Sequence, residues 1–383
     1  MGRKLFKSTV YRSIASFREE ASLTMGQIVD RPYRSDLYAE SITRGTALNQ
    51  QDITTYTDTL TVDKHAGMLF NVDKIDKVQN KWDAMRVFAE DAAKKLAQVI
   101  DGDVLAEVRN ANDTVDYNDL DSAQTAGVPI PVTAANVYRL FTIAGRKLDS
   151  NNVGPEDRFA VISSEVKQAV LEYYGGKESA LGDKTSEYGN IGRAFGFELY
   201  HSNNLLGSAR WTPANQPSDA DTITIEGVVF TFETSTLDAA GKVKSETSTA
   251  VTIDNAVAFI NSGGVATTAA GYVLSAANQR IARNFVAVDG TTYMDVYVKG
   301  TPNVTVAGSD ATDTWTLKTQ HNVFGQKGAI DCVTQIAPTV EFASRAANGI
   351  VGTNCLPYTL YATKLFYDEK ERIVDVQVDS SNY

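Results

Sequence analysis

Two adjoining segments constrain this chain most: one that cannot bury itself, and one longer than an ordinary domain helix. Residues 52–72 alternate, with Ile53, Thr55, Tyr56, Leu60 and Val62 followed by Met68, Phe70 and Val72. Lys64-His65-Ala66-Gly67 separates the two halves. This period-two pattern around a polar tip predicts a long two-stranded hairpin. Its faces are rich in threonine, and a lone hairpin with so little apolar face is marginal in water. It therefore needs a surface on another domain or another chain. Directly behind it, Val78, Trp82, Met85, Phe88, Ala92, Leu96 and Val99 recur at helical spacing after Asp76, a fitting N-cap. Continued to about residue 108, this helix spans roughly 50 Å and reads as a structural beam.

The rest of the chain mixes helices and strands in quick succession, an α+β pattern. Thr133 opens a helix carrying Val137, Leu140, Phe141, Ala144 and Leu148. Phe159–Ile162 is a short buried strand, Glu165–Tyr174 a helix and Phe197–Tyr200 another strand. Residues 109–131 lack a pattern and read as a loop. Composition changes near 208: between 212 and 320, eleven acids face six bases, and Thr, Ala and Val dominate. There Thr222–Phe232 forms a hairpin turned at Glu226-Gly227, and 254–260 and 275–285 are helical. Strands follow at 291–299, 304–306 and 314–317, so 208–320 reads as an inserted β-rich domain. The segments 330–333, 340–343, 358–366 and 373–378 suit strands of a sheet shared with 130–207.

A search for chemistry finds little. The net charge is −11, from 36 basic and 47 acidic residues in 383, which disfavours a surface that wraps nucleic acid. Residues 1–18 are the exception, with Arg3, Lys4, Lys7, Arg12 and Arg18 and no acid. They read as a basic arm that touches an acidic partner or DNA, or as a solvated terminus. No run approaches the roughly 18 apolar residues of a membrane span, and no hydrophobic stretch follows the basic start. Cys332 and Cys355 read as free buried thiols of a reducing compartment. His65, His201 and His321 are isolated and give no metal spacing, although His201 and His321 flank the insertion and could meet in space. The acid pairs Asp101/Asp103 and Asp119/Asp121 read as solvated. Gly189–Gly196 matches neither a phosphate loop nor a dinucleotide fingerprint. The sequence thus offers no catalytic residue, no cofactor and no metal site, and favours a protein that contacts copies of itself.

In this setting the chain resembles the tailed-bacteriophage major capsid proteins of the Hong Kong 97-type fold, in particular those with a domain inserted in the axial domain. The resemblance rests on Leu60-Thr61-Val62-Asp63 leading to Phe70–Gln79, and on Ala97-Gln98-Val99-Ile100-Asp101. It also rests on Phe159–Val166, Gly192–Tyr200 with Ser202-Asn203-Asn204, Lys327–Asp331, Thr359-Leu360-Tyr361 and Val374-Asp375-Val376. It implies an N-terminal arm over 1–45, an extended loop over 46–73, and a spine helix with peripheral domain over 74–129. The axial domain follows over 130–207 and 321–357, interrupted by the insertion at 208–320, and peripheral strands close the chain over 358–383.

Such a protein assembles with itself into homo-pentamers and homo-hexamers of an icosahedral shell. Its implied partners are a scaffolding protein, a portal protein, a decoration protein, and double-stranded DNA held on the inner face without sequence specificity. The implied location is the virion capsid, assembled in the host cytoplasm, with no membrane and no enzymatic role. Inter-subunit contacts are expected from Tyr56, Leu60, Lys64 and His65 of the loop and from Arg12 and Arg18 of the arm. Some relatives cross-link a loop lysine to a distant asparagine, for which Lys64 and Asn354 are the candidates here and a solvated lysine the simpler reading. Two alternatives remain at this point: an encapsulin-like compartment shell, and a surface carbohydrate-binding or hydrolytic protein with a β module.

Overall fold

The computed structural model describes residues 5–22, 28–34, 37–42, 44–45, 50–73, 84–175, 192–265, 268–344 and 352–380. The chain divides into two units: Met1–Ser13, Gln98–Lys327 and Glu371–Tyr383 form one, and Ile14–Ala97 with Gly328–Lys370 the other. The beam helix is Ala84–Ala106, 23 residues or about 35 Å, with its first part in the second unit and its last turns in the first. The expected cap Asp76 lies outside the described residues.

The first unit is built on a nine-stranded sheet. Its main path runs Phe285–Asp289, Met294–Val298, Leu206–Thr212, Thr314–Gln326, Arg158–Ile162, Phe197–His201, Arg193–Ala194. Ile373–Asp379 pairs with Thr314–Gln326 and, in parallel, with Asp113–Val115. Helices Val137–Ser150 and Ser164–Gly175 place Leu140, Phe141, Leu148, Val166 and Val170 in one core with Ala160, Ile162, Phe197, Phe324, Val374 and Val376. Each fully buried Leu, Ile, Val or Phe among them contributes about 1.5–3 kcal/mol.

The span expected to be a loop, 109–131, holds that parallel strand and a turn of helix, Tyr117–Leu120. Asp116 and Asp119 cap the turn reciprocally, so of the expected solvated pair Asp119/Asp121 the first is a capping residue.

Residues 208–320 lie within this unit. The strands Leu206–Thr212, Phe285–Asp289, Met294–Val298 and Thr314–Gln326 extend the same sheet as Arg158–Ile162. A second, four-stranded sheet (Lys242–Lys244, Val228–Glu233, Thr222–Ile225, Val306–Gly308) and the helices Thr249–Asn261 and Ala276–Ala282 close over it. Trp211, on the large sheet, stacks on Phe232 of the small one at 5.5 Å and belongs to the core that both share. Glu226 and Gly227 form the turn expected there, and both take positive φ (49° and 78°), as a primed turn requires.

The second unit departs most from the sequence pattern. Thr55–Thr61 does not pair with 68–72; it pairs antiparallel with Ile28–Arg34, a segment expected in the arm. Lys64–Gly67, expected as the turn, is itself a strand, and it and Phe70–Asp73 pair with Gly352–Lys364. Alternation fixes which face a strand buries but not which strand it meets, so the pattern was right and the partner was not. Asp331–Ser344 and Gly352–Lys364 form a long ribbon in this sheet, apart from the nine-stranded one. Of the four segments expected to share a sheet with 130–207, only Ile373–Asp379 does so. Cys332 faces Thr363 and Cys355 faces Phe342, so the two buried thiols stand well apart along the ribbon and are not bonded. No helix among the described residues is long and apolar enough to cross a membrane.

Candidate functional site

The hairpin Ile28–Arg34/Thr55–Thr61 has two unlike faces. Three cross-strand pairs line one of them in order: Val29/Leu60, Arg31/Asp58 and Tyr33/Tyr56. Ile28, Asp30, Pro32 and Arg34 with Thr55, Thr57, Thr59 and Thr61 line the other, which is exposed. Pro32 has no N–H for a further neighbour and suits a strand at a sheet edge.

The first pair belongs to the unit's own core. Leu60 is 2% exposed and packs with Val29, Val62, Val333, Ala362 and Phe366, so it is not free for another subunit. The charged pair reaches its own unit as well. Arg31 holds Glu369 at 2.8 Å, Asp368 at 3.0 Å and Asp331 at 3.2 Å, while Lys364 and the Tyr367 N–H donate to Asp58. Burial works against the Asp58 carboxylate, but these donors outweigh it and hold its pKa below 3.8. The aromatic pair stacks at 5.4 Å, and Tyr33 stacks in turn on Tyr367 at 5.2 Å. The inner face of Tyr56 thus rests on its own chain, the first of the two kinds of surface expected for this segment, and about half the residue stays exposed.

Beyond these pairs the loop carries Leu37, Tyr38, Ile42 and Ile53, each at least 63% exposed. Gln51 gives the limbs a clasp, donating to the Tyr38 carbonyl at 2.6 Å and accepting from its N–H at 3.1 Å. Four large apolar side chains left in solvent along one loop mark a surface that a partner would cover.

Lys64 and His65 are not at a tip. They lie opposite Tyr361 and Leu360 on the ribbon; Lys64 donates to Thr363 Oγ1, and exposed His65 has Nδ1 3.2 Å from the Asp63 carbonyl. Asn354 faces Asn71, seven positions along the strand from Tyr361, or about 23 Å.

Residues 7–11 of the arm are pinned to the rest of their unit. Asp101, fully buried, accepts from the Val10 and Tyr11 N–H groups at 2.7 and 2.8 Å and from Asn204 Nδ2 at 3.0 Å. Burial raises its pKa despite these donors. Gln98 donates to the Lys7 carbonyl at 3.1 Å and Ser202 to the Ser8 carbonyl at 3.2 Å. Asp103 pairs with Lys299 at 2.7 Å. Neither acid is solvated as expected, because both face chain that returns from far along the sequence. Arg12 is exposed, with its guanidinium 5.8 Å from the Tyr11 ring. Arg18 is also exposed; it donates to Ser16 Oγ at 3.0 Å and to the Gly328 carbonyl at 3.4 Å.

One constellation escaped the sequence entirely. Ser208 Oγ lies 2.9 Å from His321 Nε2, and His321 Nδ1 lies 2.8 Å from Asp375 Oδ2. The three have the connectivity of an acyl-transfer triad. They are 8, 3 and 5% exposed, and the chain of bonds ties three neighbouring strands together. His201 stands elsewhere, 3.1 Å from Ser164 Oγ, with the strand Arg158–Ile162 between the two histidine strands. Burial lowers its pKa, Lys167 adding to the effect.

A family model described as phage capsid protein matches residues 55–241. Over these residues, just under half of its length, the chain is similar to that family. The fold of the chain is of the Hong Kong 97 type and recurs in solved structures of very different sequence. A chain from Mycobacterium phage Che8 superimposes with a TM-score of 0.58 at 14% identity, over 98% of this chain and 93% of that one. The capsid of cyanophage P-SCSP1u gives 0.54 at 13% identity, over 100% and 91%. The mature capsid of bacteriophage PhiM1 gives 0.51 at 11% identity, over 99% and 90%. No curated protein matches the chain in sequence.

Proposed function

We propose that this major capsid protein closes into an icosahedral shell of pentamers and hexamers around double-stranded phage DNA, using its hairpin loop as the principal inter-subunit grip. The observation that carries the reading is the loop with Leu37, Tyr38, Ile42 and Ile53 held in solvent at its end. Leaving such groups uncovered forgoes about 25 cal/mol per Å² of apolar area, which a neighbouring copy restores on contact. Repetition over many subunits then turns modest contacts into a stable shell. The outer faces of Tyr56 and of the threonine row, with exposed Arg12 and Arg18, extend the grip. The excess of acid keeps most of the protein from adhering to the packaged DNA. A scaffolding protein, a portal and a decoration protein complete the assembly in the host cytoplasm. The role is structural and involves no catalysis.

Negative-stain microscopy of the expressed protein, alone and with the products of neighbouring genes, tests the reading. Closed shells or five- and six-fold rings are expected; monomers under every condition refute it.

A further inference from the structure

The root of the hairpin is fixed by charge in a way its pairing does not require. Arg31 and Asp58 face each other across the ladder, yet each engages a different group of opposite sign on its own unit. Arg31 is the cation shared by Asp331, Asp368 and Glu369, with its guanidinium 5.0 Å from the Phe366 ring. Arg18 adds a second, outlying cation 3.9 Å from Glu369. Asp58 takes the opposite polarity from Lys364 and the Tyr367 N–H. Lys370 lies 5.5 Å from the Tyr367 ring, beside the same site. On one side of this pair the hairpin is buried at Val29/Leu60; on the other Tyr33 stacks on Tyr367.

We propose that the Arg31/Asp58 pair is a two-sided electrostatic hinge pin, which sets the angle of the hairpin on its own unit and lets the outer part swing when either side is lost. The argument is one of competition. The hairpin ladder alone is marginal, so its order derives from docking. Between the apolar root and the aromatic pair, docking is carried by these charged contacts. Partly buried ion pairs of this kind are strongly directional, but removing one partner releases the other into solvent or leaves it stranded. A shell built from both pentamers and hexamers needs one loop to adopt more than one angle. That use of the hinge rests on the proposed function, but the hinge itself does not.

The test is hydrogen exchange on the full-length, unassembled chain carrying Arg31→Met, which keeps an unbranched stem over Phe366 and removes the charge. Amides of 28–34 and 55–61 are expected to exchange at least about tenfold faster, while those of the Asp331–Ser344/Gly352–Lys364 ribbon stay within about twofold. Arg31→Met strands buried Asp331, so Asp58→Asn provides a milder second variant, with a rise of about threefold expected in the same segments. Unchanged hairpin exchange in both variants overturns the hinge, as does equal loss of protection in hairpin and ribbon. Shell formation is not the readout, so a rigid hairpin would defeat the hinge and leave the shell reading intact.

Discussion

Replacing Asp101 with alanine tests how the arm is held. The substitution leaves the Val10 and Tyr11 N–H groups without their acceptor, while Asn204 Nδ2 keeps the Gln98 carbonyl at 2.6 Å. Two stranded donors cost about 1–3 kcal/mol each. Removing a carboxylate whose pKa is raised by burial returns part of that. The arm also has an escape, since it can lift away and hydrate both groups. Its loss is then bounded by its own docking energy, chiefly buried Val10 and Tyr11 and the Gln98 and Ser202 pins. The net expectation is about 2–4 kcal/mol in arm docking, a rise of about 30- to 700-fold in the open population. Limited trypsin digestion at Arg12, under conditions where cleavage tracks the open population, reads this directly. Asp101→Asn keeps an acceptor for the two N–H groups but sets its amide against Asn204, and about 1 kcal/mol is expected. Cleavage at the wild-type rate in Asp101→Ala would show that the carboxylate does not hold the arm.

Other outcomes follow from the same geometry. Leu60→Ala should lower unfolding stability by about 2–5 kcal/mol in denaturant melts, because the side chain is buried in its own unit; a neutral effect would return Leu60 to the inter-subunit surface. Asp58 titrates below 3.8 in the folded chain, so its stabilising contribution is present above that value and is lost as pH falls through the depressed one. Asp58→Asn should therefore flatten stability against pH in the acid limb, and an unaltered slope would contradict the Lys364 contact. A Cβ on Gly207 would meet the Pro302 carbonyl at 2.6 Å and the Thr301 carbonyl closer still, so Gly207→Ala should cost about 3 kcal/mol by thermal melting.

Local structure was legible and long-range pairing was not. The strand Arg158–Ile162, the helix Ser164–Gly175 and the Glu226-Gly227 turn follow from composition over a few residues. The hairpin's partner was hidden because Ile28–Arg34 carries a proline and two arginines and displays little apolar alternation, although Val29, Arg31 and Tyr33 do share a face. Ser208, His321 and Asp375 are separated by 113 and 54 residues, and only the sheet order brings them together. Asp101 looked solvated because its partners, the backbone of residues 10 and 11, have no sequence signature. Tyr56 remains half exposed, whereas Leu60 is enclosed and Lys64 lies along the ribbon.

The central claim is that the loop end finds its cover on a sister chain. A cryo-EM map of the assembled particle tests it most directly, through the surroundings of Leu37, Tyr38, Ile42 and Ile53. The account predicts these side chains packed against a second copy of the capsid protein, and a particle in which they still face solvent would contradict it.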